Sequence, residues 1–341
     1  MFKGRWTVRQ FVHHIADSQL NMYQRLPKKG GWKKMISTLK IPITPIANLH
    51  EEMKHATPLS IAIGHHNDVF VLLAEEQPPL INGMFPATVT EKSYSYQVIH
   101  LKDGQKTVLH LSEETWNYHY VQPIDEGHIL LVCARAYYHD AQNIEENARV
   151  YDKKGQLIRS FCLGDGIEHV YVTKNQEIWT GYFDEGVFGN YGWEEPVGRS
   201  GLVGWDASGR KMDSLEEDRE YSIFECLGLN GDAEGRIWFF FSIDSKIGVR
   251  KEGRTVYYSP EGMGFQSFAV NGKTVVAYRD RWGRSLFELQ REGDDYKTVR
   301  EIELMKPDGM PVEPQLVSNR ENMLLFLDGD ELYMYEVKSG T

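Results

Sequence analysis

Cysteine is scarce in this chain: Cys133, Cys162 and Cys226 are its three, spread over 341 positions. No Cys-x-x-Cys spacing occurs and the count is odd, which argues against a disulfide framework; each reads as a small buried hydrophobe in a reducing compartment. Long apolar runs are missing too, since no stretch approaches the roughly 20 residues of a membrane-spanning helix. The opening "MFKGRWTVRQFVHHIADSQL" has no uninterrupted apolar core and no small-residue cleavage site, unlike a secretory signal. Basic charge is the minor sign: 38 Lys and Arg stand against 49 Asp and Glu, a formal net charge of −11. A chain this acidic repels phosphate backbones, and the patch Lys28, Lys29, Lys33, Lys34 reads as solvated surface. A Ser-His-Asp arrangement is absent, and "GKTVV" (Gly272 to Val276) lacks the first glycine of a phosphate loop. These absences predict a cytoplasmic protein with no nucleic-acid and no membrane partner.

What is present is a repeat. From about Leu59 a short alternating strand meets a tight polar turn, a more apolar strand, a variable loop, a third strand and an Asp-x-x-Gly type turn before a fourth. One copy reads "HVYVT", "EIWTGYF", "GLVGWD", "RKMDSL"; another reads "YHYVQPI", "HILLVCARA", "ARVYD", "QLIRSF". Period-two alternation punctuated by Gly, Asp and Asn is the strand-and-hairpin signature. Repeated at roughly 40 to 50 residues, it predicts an all-β fold, a six-bladed β-propeller of four-stranded antiparallel blades. The last copy supplies three strands, so a strand from Met35 to Ile43 is expected to complete that blade. The expected domains are an amphipathic helix in 1–30 and the propeller in 31–341.

This plan sorts the loops. Turns between first and second strands, and between third and fourth, are short, so the long connections Glu75–Lys92, Tyr137–Asn147 and Phe183–Ser200 emerge together on the other face. The segment "EIWTGYFDEGVFGNYGW" places Asp184 and Glu185 among Phe183, Phe188, Tyr191 and Trp193, an acidic cup with aromatic walls. Residues at strand starts and ends should converge at the mouth of the channel. These are His119, Glu168, His169, Glu225, Gln266 and Gln315 on one ring, and Arg135, Asp184, Asp244, Arg279, Asp280 and Asp328 on the other. The expected function is binding of a small polar ligand or a protein partner there, without catalysis. The alternative is a metal-assisted hydrolase or lactonase with a divalent cation held by Glu168, His169 and Asp184. By contrast "GHHND" (Gly64 to Asp68) falls in a strand-one to strand-two turn and reads as a turn.

Two resemblances accompany this reading. "GDAEGRIWFF" (Gly231 to Phe240) and, in degraded form, "NQEIWTGYF" (Asn175 to Phe183) resemble the Asp-x-x-Gly-x-hydrophobic-Trp turn of the broad NHL and lactonase-like propeller class. In lactonase-like members of that class, acidic and amide side chains hold a metal at the channel mouth. The stretch Arg5 to Leu26 carries Phe11, Ile15, Met22 and Leu26 near helical spacing, with Thr7 as N-cap. There Thr7, Arg9, Gln10, His13, His14, Ala16, Asp17 and Ser18 match the motif of one helix in the DinB-like, YfiT-type metal-dependent hydrolases. In that family one histidine of the pair helps to bind a metal, with further ligands from a later His-x-x-x-His helix. That second helix is absent, so the resemblance implies a fusion remnant or a packing helix without the inherited activity.

Overall fold

Apolar stretches separated by tight polar turns fold as antiparallel ladders, because each turn returns the chain beside the strand it has just left. The computed structural model describes residues 36–79, 88–215, 221–261, 264–279 and 285–338, and the helix expected over Arg5–Leu26 lies outside them. The described strands belong to the unit Ser37–Thr341.

The chain begins with β1 (Ser37–Pro42), β2 (Ala47–Asn48) and the short α1 (His50–Met53). Then come β3 (Thr57–Ile63), β4 (Val69–Ala74), β5 (Val89–Lys102) and β6 (Gln105–Trp116). The second run is β7 (Tyr120–Pro123), β8 (His128–Val132), a hairpin of β9 (Tyr138–Asp140) and β10 (Asn143–Ile144), then β11 (Ala148–Asp152) and β12 (Leu157–Phe161). The third is β13 (Ile167–Val172), β14 (Ile178–Tyr182), the helix α2 (Asp184–Phe188), a 3-10 turn at Val197–Ser200, then β15 (Leu202–Trp205) and β16 (Lys211–Ser214). Next are β17 (Cys226–Gly231), β18 (Ile237–Phe241), β19 (Lys246–Lys251) and β20 (Arg254–Pro260), followed by β21 (Ser267–Asn271), β22 (Thr274–Arg279), β23 (Ser285–Glu292) and β24 (Asp295–Met305). The chain ends on β25 (Leu316–Arg320), β26 (Met323–Asp328) and β27 (Glu331–Glu336).

Four four-stranded antiparallel sheets stand alone: β3 to β6, β7-β8-β11-β12, β13 to β16, and β25 to β27 with β2. The runs β17 to β20 and β21 to β24 merge into a nine-stranded sheet that also takes β1. The expected series of six separate sheets is therefore corrected. The reason lies in β24, an outer strand of 11 residues whose far edge takes two partners. Ser259 and Pro260 of β20 pair parallel with its start, and β1 pairs parallel along Arg300–Met305.

That pairing also corrects the closing strand. The segment expected to complete the last sheet sits instead on β24, where Lys40 adds an ion pair to Glu303 at 2.9 Å. Pro42 and Pro45 bound the turn that follows, and the chain then reaches β27 with β2, Ala47 opposite Leu332 and Asn48 opposite Glu331. Closure from the N-terminal side holds; its residues differ.

First strands of successive runs lie side by side, β3 on β7, β7 on β13, β13 on β17, β17 on β21, β21 on β25 and β25 on β3. The arrangement is radial and propeller-like. It explains why the second strands β4, β14 and β18 are buried throughout: each has a neighbouring sheet on both faces. Apolar clusters accordingly fill the spaces between neighbours, as where Phe70, Leu72 and Tyr96 meet Val121 and Leu131, or Val69 and Val71 meet Leu325 and Leu327.

Buried Arg320, at the end of β25, fastens several first strands together. Its Nε donates to the Ile63 carbonyl of β3 at 2.5 Å, Nη1 to the Val172 carbonyl of β13 at 2.9 Å, and Nη2 to Gln122 Oε1 of β7 at 3.2 Å. The Asp-x-x-Gly turns share one device. Oδ1 of Asp152, Asp206 and Asp232 accepts the amides two and four residues on, at 2.8 to 3.0 Å.

Candidate functional site

The long connections after β4, β8 and β14 all leave the end of the molecule opposite the short turns. Their meeting point is Arg135, just beyond β8. Its side chain is buried, and its guanidinium donates from Nε to Asp165 Oδ1 and from Nη2 to Asp165 Oδ2, both at 2.8 Å. Nη1 donates to Glu185 Oε2 of α2 at 2.5 Å. The Tyr191 ring lies 3.8 Å from the guanidinium carbon and the Phe183 ring 5.5 Å. Asp165 Oδ1 also accepts the Ala136 amide at 2.9 Å. Burial pushes the Asp165 carboxyl up, and the guanidinium beside it draws it down. With three N–H groups aimed at its oxygens, the carboxylate is the form that fits.

Local backbone chemistry makes this junction possible. Gly166 has φ of 73°, and a Cβ there would stand 2.3 Å from the Gly186 nitrogen, so α2 packs directly on the backbone beside Asp165. Gly192, at φ of 86°, would place a Cβ 2.1 Å from the Tyr138 carbonyl oxygen. That approach lets the Tyr138 amide donate to the Tyr191 carbonyl at 2.9 Å and Trp193 Nε1 donate to the Ala136 carbonyl at 2.7 Å. The first connection joins through Thr88, whose hydroxyl donates to the Arg135 carbonyl. Asn147 spends its amide on the Cys133 and Gly164 carbonyls and accepts from Leu163.

Above the junction is an aromatic edge. Tyr137 stacks on His139 with centroids 4.5 Å apart and meets Tyr191 edge-on at 5.8 Å, while Phe188 meets Phe224 at 5.0 Å. Tyr137 and Phe188 are exposed. Asp184 lies on the same short helix as Phe188, its carboxyl raised from its ordinary value by burial. This surface offers π faces and carboxylates to a polar or cationic group.

The anticipated residues are brought together in part. Arg135, Asp184, Glu185 and Trp193 share the junction, and His119 adjoins it, its Nδ1 accepting the Ala134 amide at 3.1 Å. Glu168 and His169 lie on β13, and Glu225 precedes β17, all three partly buried. Burial lowers His119 and His169 to about 4, and His169 Nε2 is buried with no hydrogen-bond partner. Asp244 is exposed beyond β18, and Arg279 lies 5.9 Å from the Phe287 ring. Asp328 faces outward to Lys306 at 3.1 Å and the Glu313 amide at 3.0 Å. Asp280 lies outside the described residues. Among the described residues no three His, Cys, Asp or Glu side chains group to hold a metal ion, so Glu168, His169 and Asp184 do not form such a set. Asp165 was missed; its signal is the acid of "LGDGIEH", held between two glycines just ahead of a first strand.

No family model matches the chain. A 24-residue stretch is 79% identical to a "putative metal-dependent hydrolase" of Oceanobacillus iheyensis; the match covers 7% of this chain and 14% of that protein's length. Among solved structures, virginiamycin B lyase from Staphylococcus aureus is similar over 86% of this chain and 98% of its own, at 9% identity and a TM-score of 0.47. A PQQ-bound aldose sugar dehydrogenase from Streptomyces coelicolor covers 92% and 99%, at 13% identity and a TM-score of 0.45. A gluconolactonase from Xanthomonas campestris covers 83% and 97%, at 11% and 0.41.

Proposed function

We propose that the chain is a binding protein whose six blades, two of them merged in the nine-stranded sheet, hold a platform for a small polar ligand or an exposed segment of a protein partner. One observation carries this reading: Arg135 is spent on Asp165 and Glu185, so its charge ties the second long connection to the third and to the link between β12 and β13, which supports pre-positioned aromatics above it. A pre-organised aromatic surface with Asp184 at hand, and with Glu145 Oε2 accepting the Tyr137 amide at 2.8 Å, loses little entropy on binding. No helix among the described residues is long and apolar enough to cross a membrane, and a cytoplasmic setting fits the free cysteines Cys133, Cys162 and Cys226.

Titration calorimetry with choline and with glucose tests the platform with a cation and a polyol. Binding of either that is lost in Tyr191→Ala, with the circular dichroism unchanged, supports the reading; no binding of both rejects it for small ligands. The metal-assisted alternative is tested by elemental analysis of the purified chain. Near-stoichiometric divalent metal that falls in His169→Ala would favour it over plain binding.

A further inference from the structure

A groove of about 270 Å³ opens between the first and second sheets, at the end that carries the short turns. Its floor is apolar, with Phe70 and Val98 buried and Ile129 packed beside them. Its rim is polar. From β5, His100 stacks on Phe70 with centroids 4.3 Å apart and holds Asp68 at 2.6 Å. From the facing sheet, His128 Nδ1 lies 2.9 Å from Asp125, and Asp152 completes the rim. In the tautomer that gives an N–H to its carboxylate, an imidazole keeps the second ring nitrogen as an acceptor. Backbone amides of Gly127 on Asp125, and of Lys154 and Gln156 on Asp152, favour the ionised carboxylates, and Lys153 is the cation that faces them.

We propose that this groove binds a small organic cation, an apolar body of about phenylethyl size carrying an ammonium group. The floor takes the apolar body and the aromatic stack flanks it. Asp125 and Asp152 meet the ammonium, whose remaining N–H groups find imidazole acceptors. An anion would face the carboxylates of Asp125, Glu126 and Asp152 at this rim, and a neutral alcohol would leave the charge pairing unused. A bare metal ion fits less well, since no three donors group among the described residues.

Titration calorimetry of the full chain with 2-phenylethylamine and with 2-phenylethanol tests this. The amine should bind and the alcohol should not. Thr107→Trp, at an exposed rim position of β6, should abolish amine binding by covering the floor. Asp125→Asn keeps an oxygen for the Gly127 amide and should weaken the amine about tenfold. Glu185→Gln, at the other end of the molecule, should leave it unchanged. The proposal is overturned if the amine does not bind, if the alcohol binds as well, or if Thr107→Trp leaves binding intact. It also fails if Glu185→Gln removes binding, which would place the amine on the aromatic platform instead.

Discussion

The guanidinium of Arg135 and the carboxylate of Asp165 face each other in a buried, two-pronged ion pair, both hydrogen bonds 2.8 Å long. They come from different sheets' connections, 30 positions apart in the chain. Removing one partner leaves the other charge buried. Asp165→Ala should therefore cost about 3–5 kcal/mol, read as a lower urea midpoint. Replacing both, as in Arg135→Met with Asp165→Leu, should cost clearly less than the two single changes added together.

Arg320 should be as sensitive for another reason. Arg320→Met leaves the carbonyls of Ile63 and Val172 without their donor, at about 1–3 kcal/mol for each buried group. Because Arg320 joins β25 to β3 across the closing seam and also reaches β7 and β13, the loss should appear in the cooperative unfolding of the whole unit, not in one local step. Separate transitions in the variant would show that the seam is independent.

Much of this was legible in the sequence. Alternation and the apolar second strands mark every run, and Asp-x-x-Gly turns mark three of them, because those local rules act within a few residues. The three long connections are visible for the same reason. What could not be read was edge pairing: whether Met35–Ile43 or Ala47–Asn48 closes the last sheet depends on which free edge is nearer in space, and β24 offered one. Asp165 was hidden likewise, since its partner Arg135 is adjacent only after two sheets are placed side by side.

Stability should fall on acidification. Burial holds His119 and His169 at about 4, below the 6.5 of a free imidazole. The unfolded chain therefore takes protons between those values while the native protein does not, so the native state gains stability as pH rises through that window. Each histidine contributes about 1–3 kcal/mol, fully present above the unfolded value and lost by pH near 4. The urea midpoint measured between those limits should rise with pH, and less steeply in His169→Gln. A flat profile in the wild type would contradict the burial.

Trp193 ties the third connection to the second through a single N–H. Trp193→Phe keeps a six-membered aromatic ring but loses the pyrrole half and its bond to the Ala136 carbonyl, at about 1–3 kcal/mol for the unpaired acceptor. Its larger effect should be on ligand affinity at the aromatic edge, because the platform loosens before the core does.

The direct test of a pre-assembled platform is amide hydrogen exchange at Tyr138 and Ala136, whose N–H groups bond to the Tyr191 carbonyl and the Asp165 carboxylate. Both amides should exchange slowly in the free protein, comparably to β8, and lose protection together in Asp165→Asn. Fast exchange at both amides in the unliganded wild type would show that the connections are not held together, and would contradict a pre-assembled platform.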